Sequence, residues 1–383
     1  MNSYDNGKSE DALGVALLNW VSVAFLAYLL FCAVGLIEVG FETLSSTKID
    51  LIMQFATNPV AGVLVGVLAT ALVQSSSAIT AVLVGMVAGG LPLSIAIPVV
   101  IGANFGTTIT NSIVSLGFAR NKADLKRAFA AATVHDAFNL LCLFIFLGLQ
   151  ISFGVLEKLT AVLAYQIDSL GIYGEASFIP GALQAITHPF VAKIQKLTSS
   201  FSPEASGAIL CLIGLALIVF SMSMIGQLLR SLLVGKARRV AQAIVGKNLW
   251  SGIGSGLGAT MLLQSSSSTT SFVIPLAASG AVSTKGIYPF TIGANIGTCI
   301  TAILAAFAVV GDQTEALELA LVHLSYNVFG ALIILAVSPL RYLPVRLAEK
   351  LADVIGTNVF AIIAYIICVF LVIPAAGIWI FSS

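Results

Sequence analysis

Residues 51–119 contain no Asp, Glu, Lys or Arg, and neither do 205–229, 248–284 or 354–383. A charge at the centre of a membrane-spanning helix costs roughly 2.5–3.5 kcal/mol on insertion scales. Charge-free apolar runs of this length are what a hydrocarbon medium selects. Only 9% of the chain is charged and 58% is hydrophobic, where soluble domains carry about a quarter charged residues. A soluble globular domain, a disordered chain and a coiled coil are therefore excluded. The formal net charge of +1 leaves no electrostatic footprint for nucleic acid. The runs are continuous rather than alternating, which excludes an outer-membrane barrel. The expectation is an all-α polytopic membrane protein in contact with the lipid bilayer.

A span needs about 20 apolar residues, which places spans near 13–37, 92–117, 125–150, 206–229, 286–310, 316–338 and 357–382. Two further apolar stretches, 59–90 and 248–282, are interrupted in the middle by Gln74-Ser75-Ser76-Ser77 and Gln264-Ser265-Ser266-Ser267-Ser268. Their halves reach only roughly 20–23 Å as helix, short of the ~30 Å hydrocarbon core. Each is expected to be a re-entrant helical hairpin. Segments 155–170 and 341–355 mix charge with Leu and Val and read as amphipathic interfacial helices.

Charge tests this layout. Arg120, Lys122, Lys126 and Arg127, and then Arg230, Lys236, Arg238, Arg239 and Lys247, mark two basic connections. The 38–50 and 311–318 connections are acidic on balance. If the hairpins do not cross, basic and acidic connections fall on opposite sides, with the N-terminus cytoplasmic and the C-terminus outside. Arg120, Lys126 and Arg239 are read as topology charges only. The N-terminus lacks the order of a cleaved signal peptide. The five cysteines all lie in apolar segments and show no metal-binding or disulfide spacing.

The chain repeats itself. Asn58, Gly62, Gly66, Ala69, Thr70, Gln74 to Ser77 and Thr80 recur as Asn248, Gly252, Gly256, Ala259, Thr260, Gln264 to Ser267 and Thr270, at an offset of 190. Gly102-Ala103-Asn104-Phe105-Gly106-Thr107 recurs as Gly293-Ala294-Asn295-Ile296-Gly297-Thr298, and His135…Asn139 as His323…Asn327. Three crossings per repeat place the second repeat upside down relative to the first, the layout of secondary transporters with a midplane site. The division is a first inverted repeat over 13–150, an interfacial helix and outer connecting region over 151–205, a second repeat over 206–340, an interfacial helix over 341–356 and an extra C-terminal span over 357–383.

A serine cluster that opens a half-helix offers free backbone N–H groups, hydroxyl donors and the positive end of a helix dipole, which suits an anion. The candidate anion ligands are Gln74, Ser75, Ser76, Ser77, Gln264, Ser265, Ser266 and Ser267, with Asn104 and Asn295 beside them. No Lys or Arg lies in the hairpins, so co-transported cations are expected to offset the anion's charge. Helix breaks at Gly102–Gly106 and Gly293–Gly297 are expected to free carbonyls next to Thr107, Thr110, Thr298 and Thr301, hard oxygen ligands suited to sodium. Asp136 is the only carboxylate within 128–149 and is a functional candidate by position. Its counterpart is Leu324, and that of Asn111 is Ala302, so at least one cation site is expected in the first repeat alone. The Gly62/Gly66 and Gly252/Gly256 pairs read as helix-packing contacts. His135 and His323 read as hydrogen-bonding core residues rather than a proton relay, and Asn139 and Asn327 as interhelical glue.

Paired Gln-Ser-Ser-Ser hairpins, Gly-Ala-Asn-x-Gly-Thr segments and His-x-x-Phe/Tyr-Asn resemble the type II sodium–phosphate cotransporters over about residues 15–340. The resemblance implies sodium-driven uptake of inorganic phosphate, with both hairpins near substrate and ions. It also implies that an acid at the place of Asp136 goes with an additional sodium and electrogenic transport. Animal members carry a long, glycosylated, disulfide-bonded outer loop. Here 151–205 has no Cys, and the chain has no Asn-x-Ser/Thr acceptor, which resembles a bacterial, inner-membrane member. Na+ and phosphate are cargo, no cofactor is implied, and a homodimer is compatible with the sequence. The competing readings are a carrier of another oxyanion such as sulfate, a proton-coupled phosphate carrier and a channel. A remoter one is an intramembrane serine hydrolase, disfavoured because an enzyme has no need of duplicated serine clusters and no Gly-x-Ser-x-Gly elbow is present.

Overall fold

A computed structural model describes residues 3–55, 58–170, 178–244, 248–309 and 313–381. Among the described residues the chain is helical throughout, with no strand. Seven helical segments among them are long and apolar enough to cross a membrane: Leu17–Ser45, Leu93–Phe118, Lys122–Phe153, Pro203–Leu233, Thr284–Ala306, Gln313–Ala336 and Val359–Phe381. These coincide with the seven spans expected from the sequence.

The first half opens with α1 (Ser3–Phe55), continues through the paired short helices α2 (Pro59–Val73) and α3 (Ser76–Ala88), and enters a kinked span made of α4 (Leu93–Gly106) and α5 (Ile109–Ser115). Helix α6 (Lys122–Phe153) follows, then α7 (Val155–Ser169) and α8 (Phe178–Thr198). The second half repeats the order. Helix α9 (Pro203–Ile244) precedes α10 (Leu249–Leu263), α11 (Ser266–Ser271) and α12 (Ile274–Ala278), and the kinked span is α13 (Thr284–Thr298) with α14 (Ile300–Ala306). Helices α15 (Gln313–Ala336), the single turn α16 (Ser338–Arg341) and α17 (Leu343–Ile355) lead to the C-terminal span, α18 (Val359–Ile367) and α19 (Ile373–Phe381), joined by a π-helical turn.

Three sequence expectations are corrected. The 38–50 stretch continues α1, and the basic stretch that begins at Arg230 continues α9 as far as Ile244, because charge ends the hydrocarbon pattern without ending helix propensity. Helical backbone runs through Gly102–Gly106 and Gly293–Gly297, and the spans kink one step later, at Thr107–Thr108 and Cys299. Backbone there stays in the right-handed region and tightens to i→i+3 bonds, Thr108 N–H to Phe105 O and Cys299 N–H to Ile296 O, both 3.2 Å. The carbonyls are not splayed as an unwound break would leave them. Finally, the return arm of the second hairpin divides again at Phe272–Val273, where Pro275 opens α12.

The glycines of both halves make one recurring contact. A Cβ on Gly66 would fall 2.1 Å from Val99 O, and one on Gly102 1.9 Å from Val63 O; the copies are Gly256 against Phe290 O at 2.0 Å and Gly293 against Ile253 O at 2.0 Å. Only bare backbone lets α2 close on α4, and α10 on α13, at this distance. The kinked spans are thereby driven to the centre: 83% and 78% of the residues in an apolar 18-residue window of Leu93–Phe118 and of Thr284–Ala306 are buried, against 22% in that of the C-terminal span. The long helix of each half also packs on the amphipathic helix of the other, α6 on α17 and α15 on α7.

Candidate functional site

In both hairpins the serine motif stops one helix and starts the next. Gln74 (φ 57°) and Gln264 (φ 51°) are the two non-glycine residues in left-handed backbone among those described. Each ends the first arm by donating its N–H to Thr70 O or Thr260 O. The chain restarts at once, with Ser75 Oγ accepting from Ala78 N–H and Ser265 Oγ from Ser268 N–H, both at 3.2 Å. With one amide of each new first turn capped in this way, the N–H groups of Ser76 and Ser77, and of Ser266 and Ser267, have no partner within their own helices.

The two motifs face one cavity of about 360 Å³, lined by Gln74 to Ala78, Gln264 to Ser268, Thr107, Thr298 and one face of α9. Ser77 Oγ and Thr298 Oγ1 are 2.8 Å apart and join the first hairpin to the second kinked span. Gln264 is tied down, its Oε1 accepting from Thr301 at 3.1 Å and its Nε2 donating to Met261 O at 2.7 Å, whereas Gln74 is exposed. The cavity therefore gathers the eight hairpin residues named from sequence, together with Thr107 and Thr298.

It does not gather the rest. Asn104 and Asn295, expected beside the anion, lie outside the cavity lining in a network that crosses between the halves. His135 Nε2 meets Asn295 Oδ1 at 2.5 Å, Asn295 Nδ2 donates to Asn139 Oδ1 at 2.7 Å, and Asn139 Nδ2 donates to Asn104 O at 2.8 Å. Reciprocally, Asn104 Oδ1 meets His323 Nε2 at 3.2 Å and accepts from Asn327 Nδ2 at 2.9 Å. Each half's Asn is thus held by the other half's His and Asn. Buried amides need partners, and these bond largely to one another, with Asn327 Oδ1 and His323 Nδ1 left without a partner among the described residues.

The oxygens proposed for sodium are dispersed as well. Thr107 and Thr298 face the cavity, and Thr301 holds Gln264. Asn111 Nδ2 meets His135 Nδ1 at 2.9 Å while its Oδ1 accepts from Thr270 at 2.7 Å. Thr110 Oγ1 is buried without a partner. Asp136, 4% exposed, is a separate centre: its Oδ2 accepts from Tyr365 OH at 2.8 Å and from Ser112 Oγ at 3.4 Å. Its Oδ1 is buried with no donor among the described residues. A buried carboxylate oxygen without a donor is a fitting ligand for a hard cation.

Two residues at these centres escaped the sequence reading. Tyr365 reaches Asp136 from the C-terminal span, across a separation that no local pattern reports. Arg230 lines the cavity and donates to Ser268 Oγ. In the sequence it is one charge of a basic connection; the hairpins themselves hold no Lys or Arg, yet this side chain reaches their cavity from α9.

Comparison with known proteins gives a consistent result. The profile of the Na+/Pi-cotransporter family matches residues 29–165 and 217–346. Sodium-dependent phosphate transport protein 2A of Ovis aries is 32% identical over 94% of this chain and 67% of its own length. The 2A protein of Rattus norvegicus is 30% identical over 95% and 68%, and the 2B protein of Bos taurus 30% over 91% and 63%. The chain spans about two thirds of the length of these relatives. No solved structure matches.

Proposed function

The chain belongs to the Na+/Pi-cotransporter family, and from that premise we propose that it is a secondary active transporter that takes up inorganic phosphate with sodium across the plasma membrane. The single observation that carries the site assignment is the cavity between the two serine motifs, where two helix N-termini and a ring of hydroxyls converge. Tetrahedral oxyanions need many short donors, and Gln74, Ser75, Ser76, Ser77, Gln264, Ser265, Ser266 and Ser267 supply them from two directions. Asn104 and Asn295 are struts in this reading, not ligands.

Asp136, with Oδ1 open to a cation, is the sodium ligand of the first half, and it makes transport electrogenic. The halves are inverted repeats, with the N-terminus cytoplasmic and the C-terminus outside, and the matched glycine contacts and reciprocal Asn–His pairs support that division. The hairpins and kinked spans meet across the centre of the molecule, as alternating access requires of a site between two repeats. A transporter, not an enzyme, is the outcome: the serine hydroxyls cap helices and line the cavity, and His135 and His323 bond to asparagines.

The deciding experiment is uptake of radioactive phosphate into proteoliposomes. Accumulation above the outside concentration under an imposed inward sodium gradient is expected, with none under an equal proton gradient. Uptake of sulfate instead, or sodium-independent equilibration, would overturn the assignment.

A further inference from the structure

Among the described residues that line the serine cavity, Arg230 is the one charged side chain. It stands on an ordered wall. Val219, Met222, Ser223, Gly226 and Arg230 line the cavity at steps of three and four, the spacing of a single helix face. A Cβ built on Gly226 would meet nothing within 4 Å, so the turn before Arg230 leaves open space on that face. At the end of this wall the guanidinium donates through Nη2 to Ser268 Oγ, in the first turn after the second serine motif.

We infer that Arg230 is a ligand of the transported phosphate, held against Ser268 in the empty cavity and turned onto the anion in the filled one. This rests on reading the cavity as the phosphate site. A guanidinium presents five donors in a planar fork that matches two oxygens of a phosphate, and a single bond to a neutral serine leaves most of them unused. Among the described residues the lining contains no carboxylate to compete. Apolar walls such as Leu72, Val73 and Val219 focus the field of a lone cation within a cleft. The charge belongs to the protein and does not cross the membrane, so it strengthens binding without adding to the charge moved per cycle.

The test places a cysteine at Ser223 in full-length protein whose native cysteines are replaced, and follows its modification by thiol reagents in detergent at low ionic strength. Inorganic phosphate with sodium should slow modification, and the phosphate concentration that gives half-protection measures binding independently of turnover. Arg230→Gln should raise that concentration by about 10- to 150-fold, the cost of one lost charged hydrogen-bonding partner. It should also lower the rate ratio of an anionic to a cationic reagent by about three- to tenfold. Arg230→Lys keeps the charge but not the fork and should fall between. A half-protection concentration within twofold of the parent in Arg230→Gln overturns the inference. If Arg230→Gln does not fold, Arg230→Lys carries the test, and identity with the parent overturns the forked ligand. Absence of phosphate protection in the Arg230 parent removes the cavity reading itself, and this inference with it.

Discussion

Gln74 and Gln264 hold backbone that costs an ordinary residue roughly 1–2 kcal/mol, at the points where each hairpin turns. Glycine would serve a mere helix stop better. Gln74→Gly should therefore preserve or raise thermal stability in detergent while phosphate uptake falls about tenfold or more, the effect of a lost donor to a charged ligand. Full uptake by that variant would reduce Gln74 to a stop signal. Asp136 poses the matching question for sodium. Its Oδ2 is engaged by Tyr365 and Ser112 and its Oδ1 by no donor among the described residues, so Asp136→Asn keeps the shape and removes one charge from the proposed sodium site. Apparent sodium affinity should drop and uptake should lose voltage dependence, by up to about 2.3 kcal/mol of driving force per 100 mV. Unchanged voltage and sodium dependence in a well-expressed Asp136→Asn protein would make the carboxylate structural. At this scale the serine motifs were legible because they interrupt apolar sequence twice in the same way. Tyr365 and Arg230 were not. A lone Tyr in a span and an Arg at the edge of one have ordinary explanations until tertiary contact supplies their partners.

Helical elements were legible wherever hydrocarbon length and charge acted together, and all seven spans fall where apolar runs exceed about 20 residues. What composition did not report was continuity. Helices α1 and α9 run on past their apolar parts, since polar residues outside the hydrocarbon are as able to form helix as apolar ones within it. The Gly-Ala-Asn-x-Gly segments misled for a related reason. Their glycines read as breaks in the sequence, yet the backbone there is helical and the missing side chains admit a neighbouring helix. Gly102→Ala would set a Cβ 1.9 Å from Val63 O, and Gly293→Ala one 2.0 Å from Ile253 O. Because the obstacle is backbone, relief requires α2 and α4, or α10 and α13, to part, at a cost of about 1–3 kcal/mol or more for overpacking. Both variants should lower the melting temperature in detergent. Gly148→Ala, where a Cβ meets nothing within 4 Å near the C-terminal end of α6, should leave it level or raise it by the helix preference of alanine. Equal behaviour of the three would show that the glycines do not set the helix spacing.

At the scale of the molecule, sequence alone could suggest two upside-down halves but not how they are joined. Sequence alone places Asn104 and Asn295 among the candidate anion ligands, beside the serine motifs. The structure instead uses them as the crossing point, each held by the opposite half's His and Asn. A reciprocal contact of this kind exists only once the halves are docked, and no linear pattern contains it. The proposed inversion has a direct consequence for sidedness. If neither hairpin crosses, the end of the first hairpin near Ser94 lies outside and the end of the second near Ser279 lies in the cytoplasm, beside the basic start of α6, where Arg127 Nε donates to Ala278 O at 2.7 Å. Both serines are exposed, so each accepts a cysteine probe without disturbing packing. In a background without native cysteines, an impermeant thiol reagent applied to intact cells should label Ser94→Cys and spare Ser279→Cys, and permeabilisation should make the second reactive without altering the first. The positive-inside distribution requires this order, since a crossing by either hairpin would carry one basic connection to the outside. Labelling of both positions from the same side of a sealed membrane would refute the inversion, and alternating access between two opposed hairpins would fall with it.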